Sequence, residues 1–166
     1  MKMQLIQPFI NAIDAVLAET LGGPVTIADM SMEEEGYRKK GVAALITFKG
    51  EIEGRVILDM QPTAALKVAH TMAGEDLADP DQAVREAVRE IANMVIGNAV
   101  TLLNDRGYSF KVFTPELLTE EQQAAVGAES EATLLSFSTE HGSVFMNISM
   151  RYFRRRSRER VPALAT

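Results

Sequence analysis

The chain has 166 residues, no cysteine, two histidines and a formal net charge of −6. That length suits one domain, able to bury about two-thirds of its unfolded surface without a disulfide or metal staple. A thiol nucleophile is excluded, as is a zinc site with His70 and His141 so far apart; the acidic balance speaks against nucleic acid, and without a run of about 18 apolar residues or a signal-peptide core we expect no membrane insertion and a cytoplasmic protein.

In chain order, residues 4–21 place Phe9, Ile13, Val16, Leu17 and Leu21 at helical spacing and stop at Gly22-Gly23-Pro24. Pro8 fits such a helix only in its first turn. Val25 to Met30 suits a strand, and the charged, glycine-flanked residues 33–41 read as a mobile surface loop. Val42–Lys49 and Arg55–Met60 are strand-like, with Gly50-Glu-Ile-Glu-Gly54 between them as a hairpin turn. Gln61-Pro-Thr63 opens a short helix, Ala64 to Met72, that ends at Gly74.

Asp79-Pro80 then starts, and Arg106-Gly107 stops, a proline-free run that at about 1.5 Å per residue makes a rod of roughly 40 Å. At about 100° per residue, Val84, Val88, Ile91, Val95, Asn98 and Leu102 form the stripe expected to be buried. Glu86, Glu90, Asn93, Gly97 and Asn104 share an opposite arc about 60° wide. An ordinary solvated face explains such residues in most helices. Here, however, a mid-helix Asn is a poor helix former, and Gly97 costs about 1 kcal/mol relative to Ala. After Gly107, 108–113 reads as a strand stopping at Thr114-Pro115, 116–127 as a loop with a helical turn, and 132–139 and 143–152 as the last two strands, with His141 in the turn between them.

The order helix, three strands, short helix, helix, three strands is an internal α-β-β-β duplication. The fold class expected is α/β of the α+β kind: a mostly antiparallel six-stranded sheet with two long helices on one face. Residues 1–153 form the domain and 154–166 a basic, flexible tail.

Glu90-Ile-Ala-Asn93-Met-Val-Ile-Gly97 resembles the Glu-x-x-Asn-x-x-x-Gly signature of the CheC/CheX/FliY family of chemotaxis phosphatases, and Ile6 to Leu17 resembles the opening helix of CheX-type members. Asn11 stands where a second site would lie, but the residue three before it is Pro8, so the resemblance is to single-site, CheX-type proteins. The family usually has Asp or Ser where Glu86 stands; its later proline is matched by Pro115.

The resemblance implies a phosphatase acting on the aspartyl phosphate of a CheY-type receiver domain, with no cofactor of its own and Mg²⁺ carried by the receiver. Asn93 would orient the attacking water, since an amide can accept from and donate to it without titrating. Glu90 would dock against the receiver's lysine; Glu86 and Gly97 would complete the contact surface. It also implies a homodimer, with the last strand, bearing Val144, Met146, Ile148 and Met150, pairing at an edge. Arg154, Arg155 and Arg156 read as a solvated tail or an electrostatic guide. Two other readings compete: a non-catalytic adaptor using the same face, and a small-molecule hydrolase with Glu86 and Glu90 as an acid/base pair, disfavoured by their convex, undesolvated position.

Overall fold

Apolar residues alternating along three long strands leave one sheet face that only helices can cover, and the chain supplies them in two rounds. The computed structural model describes residues 3–33, 36–119 and 132–152. Its elements are α1 (Met3–Leu21), β1 (Thr26–Glu33), β2 (Val42–Gly50), β3 (Ile52–Met60), α2 (Pro62–Ala73), α3 (Pro80–Asp105), β4 (Phe110–Val112), β5 (Glu116–Leu117), β6 (Ala132–Thr139) and β7 (Gly142–Tyr152). The strands form one antiparallel sheet of order β1-β6-β7-β3-β2-β4, with β5 also paired to β2.

The duplication is visible in that order. Exchanging β1 with β4, β2 with β6 and β3 with β7 turns the sequence of strands into its own reverse. All three helices contribute to one apolar layer with the sheet, including Phe9, Ile13, Val68, Ile91, Ile46, Leu58, Met146 and Ile148. Phe48 lies 6.0 Å from Phe9 and 5.9 Å, edge-on, from Phe110, tying α1, β2 and β4 together by ring contacts worth about 0.5–1.5 kcal/mol each. The other sheet face carries a smaller cluster of Tyr37, Ala43, Ile57 and Leu118.

Several expectations change. The sheet has seven strands rather than six, because Pro115, with no N–H to give a ladder, splits the outer strand beside β2 into β4 and β5. The last strand is no edge: β7 lies between β6 and β3, and β1 and β4 stand at the ends. The hairpin turn shrinks to Glu51, and Gly54 becomes a strand residue with φ 155°, where a Cβ would collide with the Ser149 carbonyl of β7.

Pro8 lies well inside α1, beyond the first turn. It cannot donate to the carbonyl of Gln4 one turn earlier. Arg106 at the C-cap of α3 does so instead, its Nη1 donating to Gln4 O at 2.8 Å. Residues 36–41 are also better held than expected. Tyr37 is 1% exposed, and the fully buried Asp59 carboxylate accepts from Tyr37 Oη (2.6 Å), Lys40 N (2.5 Å) and Gly41 N (3.0 Å). Residues 154–166, with Arg154, Arg155 and Arg156, lie outside the described residues, as does most of the 116–127 segment.

Candidate functional site

Helix α3 begins as its sequence requires. Asp79, extended at φ −133° and ψ 93°, accepts from Gln82 N at 3.2 Å, Pro80 occupies the first turn, and Asp81 meets the positive end of the helix dipole. The helix ends where Tyr108 N reaches back to Leu103 O at 3.1 Å and Gly107 takes φ 93°. A cap at each end fixes the rotation of everything between.

The buried residues of α3 are Ala87, Val88, Ile91, Ala92, Val95, Ile96, Ala99 and Leu103. Val88, Ile91 and Val95 fall where the periodicity put them, Val84 is half-buried, and Asn98 and Leu102 are exposed. The expected stripe had a strict seven-residue repeat, and a straight helix drifts about 20° per heptad against such a repeat. By the last two turns Ala99 and Leu103 have therefore replaced Asn98 and Leu102 on the core side.

The opposite face is where it was expected. Glu86, Glu90, Asn93, Gly97 and Asn104 are all exposed. Glu86 is engaged locally, its Oε1 accepting from Gln82 Nε2 at 2.9 Å. Glu90 and Asn93 have no side-chain hydrogen bond or ion pair among the described residues. A Cβ placed on Gly97 would meet nothing within 4 Å, so the surface beyond Asn93 is flat and open. A carboxylate and an amide about 60° apart and one turn removed thus project side by side from a rigid rod. Such a pair suits insertion into a partner's concavity. Asn98, although exposed, points about 140° away from Asn93 and does not join them.

The histidines stand apart from this face. His70, on α2, is half-buried with Nδ1 3.0 Å from Gly74 O at the helix end. His141 is in the β6–β7 turn, its backbone N donating to Thr139 Oγ1 at 3.1 Å. On α1, Asn11 is exposed like Asn93, but its Oδ1 accepts from Gln7 Nε2 at 2.8 Å. Sequence reasoning did not find the α1–α3 tie between Gln4 and Arg106. Pro8 inside a helical pattern was its one visible sign.

The family described as chemotaxis phosphatase CheX matches residues 42–138, more than half of the chain and inclusive of the whole of α3. Among solved structures, a CheC-like superfamily protein from Shewanella sp. PV-4 is similar at 25% identity and TM-score 0.78, over 91% of this chain and 99% of its own. A chemotaxis protein CheX from Desulfovibrio desulfuricans shares the fold at 24% identity and TM-score 0.78, over 89% and 99% of the two chains. The CheX of Borrelia burgdorferi, solved as a complex with CheY, BeF3 and Mg²⁺, is 29% identical with TM-score 0.62, over 88% and 97%. With the family's span enclosing the helix that carries Glu90 and Asn93, and these structures matching nearly end to end, the chain belongs to the chemotaxis phosphatase CheX family.

Proposed function

We propose that this protein hydrolyses the aspartyl phosphate of a CheY-type receiver domain, with Asn93 orienting the attacking water and Glu90 docking to the receiver's lysine. The observation that carries the reading is that Glu90 and Asn93 project from the outward face of a doubly capped helix with no competing partner among the described residues. The complex of the Borrelia CheX with CheY, BeF3 and Mg²⁺ supports the choice of partner and the assignment of Mg²⁺ to the receiver.

An acyl phosphate is already activated, so the missing component is a positioned water. The Asn93 amide carbonyl accepts a hydrogen bond from that water and holds it in line with the bond between phosphorus and the aspartyl oxygen. As the water oxygen bonds to phosphorus that bond breaks, releasing inorganic phosphate and restoring the receiver's carboxylate. Glu90 pairs with the lysine ammonium and sets the depth and register of the helix. Without that cation a carboxylate beside a phosphate would be repelled. Glu86 extends the acidic contact and Gly97 leaves room for the receiver's loops.

The protein acts in the cytoplasm as a homodimer, the two α3 faces pointing outward. The paired strand is β1 rather than β7. Every residue from Thr26 to Met32 is exposed, and the large apolar Ile27, Met30 and Met32 are 47%, 44% and 54% exposed on an edge that is unpaired among the described residues. Light scattering across a concentration series tests the assembly, with a Met30→Lys variant expected to shift it toward monomer.

The decisive assay follows the decay of a phosphorylated CheY-type receiver with catalytic amounts of this protein. Multiple turnovers are expected. Stable binding without acceleration would replace the phosphatase reading with that of an adaptor.

A further inference from the structure

A cavity of about 510 Å³ opens where the N-terminal ends of α2 and α3 meet β2 and β5, on the core-facing side of α3 rather than on its Glu90–Asn93 face. Its size lies within the range of small-molecule sites, roughly 300–1,000 Å³. Val42, Leu66, Val84, Leu117 and Leu118 form the walls. Leu66 is 39% exposed at this opening, outside the buried face of α2 made by Ala65, Val68 and Ala69. The charged groups of the lining are Lys39, Arg85 and Asp81. Two cations and one carboxylate line it; Asp81 is a first-turn acid at the positive end of the helix dipole, and Arg85 Nη2 donates to Gln82 Oε1 at 2.9 Å, a neutral partner that leaves its charge uncompensated. In a chain of net charge −6, an apolar cavity with a net positive rim runs against the overall balance.

The placement of Lys39 is the second, independent observation. The segment that bears it is held by the buried Asp59 carboxylate through Lys40 N and Gly41 N, and by Tyr37 Oη. Only glycine fits at position 41, because a Cβ there would collide with the Met60 carbonyl. Burial, reinforced by the bond to Asp59, pushes the Tyr37 phenol far above its ordinary range, so the hydroxyl stays a donor at any physiological pH. Lys40 is turned the other way, with Nζ 4.9 Å from the Tyr37 ring and 5.2 Å from that of Phe145. A buried carboxylate with three donors is a costly way to anchor a connection. Its bonds hold the backbone next to Lys39, which lines the cavity, while the Lys40 ammonium is used elsewhere.

We propose that this cavity binds a small organic monoanion, an apolar body of aliphatic or aromatic carbon seated against Val84, Leu66 and Leu118, with its carboxylate between Lys39 and Arg85. The proposal is independent of the phosphatase reading and of the receiver.

The test uses the full chain and three probes of one length, octanoate, octanol and octylammonium, titrated at fixed ionic strength while methyl resonances are followed by NMR. Octanoate is expected to give saturable shifts confined to the methyls of Val42, Leu66, Val84, Leu117 and Leu118. It should bind about tenfold more tightly than octanol, the scale of an exposed ion pair combined with favourable helix ends, and octylammonium more weakly than either. The double variant Lys39→Gln with Arg85→Gln should bring octanoate to the level of octanol while leaving the rest of the spectrum native. Val84→Phe, which fills the cavity from the α3 side, should abolish the shifts with all three probes. Shifts that do not saturate, that spread over the surface, or that are as strong for octylammonium as for octanoate would overturn the proposal. So would a natively folded double variant that binds octanoate undiminished.

Discussion

Helices α1 and α3 occupy equivalent places in the two halves of the domain and pack against each other, yet they spend their residues differently. Along α1 large side chains such as Phe9, Ile10, Ile13 and Leu17 are buried, and its exposed Asn11 is bonded to Gln7 one turn away. Among the buried residues of α3 are the small Ala87, Ala92 and Ala99, and its exposed Asn93 is left without a partner among the described residues. Pro8 stands in α1 where a Glu would complete the motif, and Arg106 of α3 repairs the backbone bond that Pro8 removes. Both helices pack, but the polar face of one is bonded within itself and that of the other leaves Glu90 and Asn93 without a partner among the described residues. The same residue type is structural or available according to what stands one turn before it.

The largest expected effect separates the two asparagines. Asn93→Ala should lower receiver dephosphorylation by roughly two orders of magnitude, the scale on which a lost positioning group is felt, with the melting temperature held or slightly raised because alanine is the better helix former. Asn11→Ala should leave turnover unchanged. Equal losses in the two variants would end the distinction between the helices.

Gly97→Leu adds a side chain to a face that is open to at least 4 Å. It should stabilise α3 by about 1 kcal/mol while blocking receiver binding, measured as a rise in KM. Glu90→Ala should weaken binding by roughly fivefold at low salt, and the difference should shrink as salt screens the exposed pair.

The smallest effect concerns the repair. Arg106→Ala should cost about 1 kcal/mol in denaturant unfolding with no change in turnover. Introducing Pro8→Ala first should reduce that cost, since residue 8 can then supply the N–H itself. A double-mutant cycle with no coupling would show that Arg106 is not the group that compensates for Pro8.

The features legible in the sequence were those set by local rules. The caps of α3 follow from Asp79-Pro80 and Arg106-Gly107, and the outward arc of Glu86, Glu90, Asn93 and Gly97 follows from helical spacing over about three turns, a shorter stretch than the full stripe and one in which drift matters less. The stripe failed at Asn98 and Leu102 because drift accumulates over the helix length. The 33–41 segment looked like an ordinary charged connection because what holds its residues 37–41, Asp59, lies far along the chain on a strand. Composition cannot reveal that Tyr37 is buried by such a partner. The place of β7 was hidden for the same reason: its amphipathic pattern suits any strand with one covered face, and only its pairing with β3 across the duplication puts it in the middle. The exposed face of the candidate site was readable because it belongs to one helix; the cavity drew on five segments and was not.

The interleaved strand order bears on how the chain reaches its structure. The first half does not close on itself: among the described residues β1 pairs only with β6, and β4 and β5 of the second half complete the outer side of β2. The central ladder joins β3 to β7, and the side-chain bond across it, from Arg55 to Asn147, spans 92 residues. A chain emerging from the ribosome therefore cannot finish either half before nearly all of β7 has been made. Such long-range closure is expected to slow folding relative to a helical domain of similar size. Until closure, β1 is an exposed apolar strand with no neighbour, so the interval before β6 is synthesised is when the nascent chain is most exposed to pairing with the wrong partner.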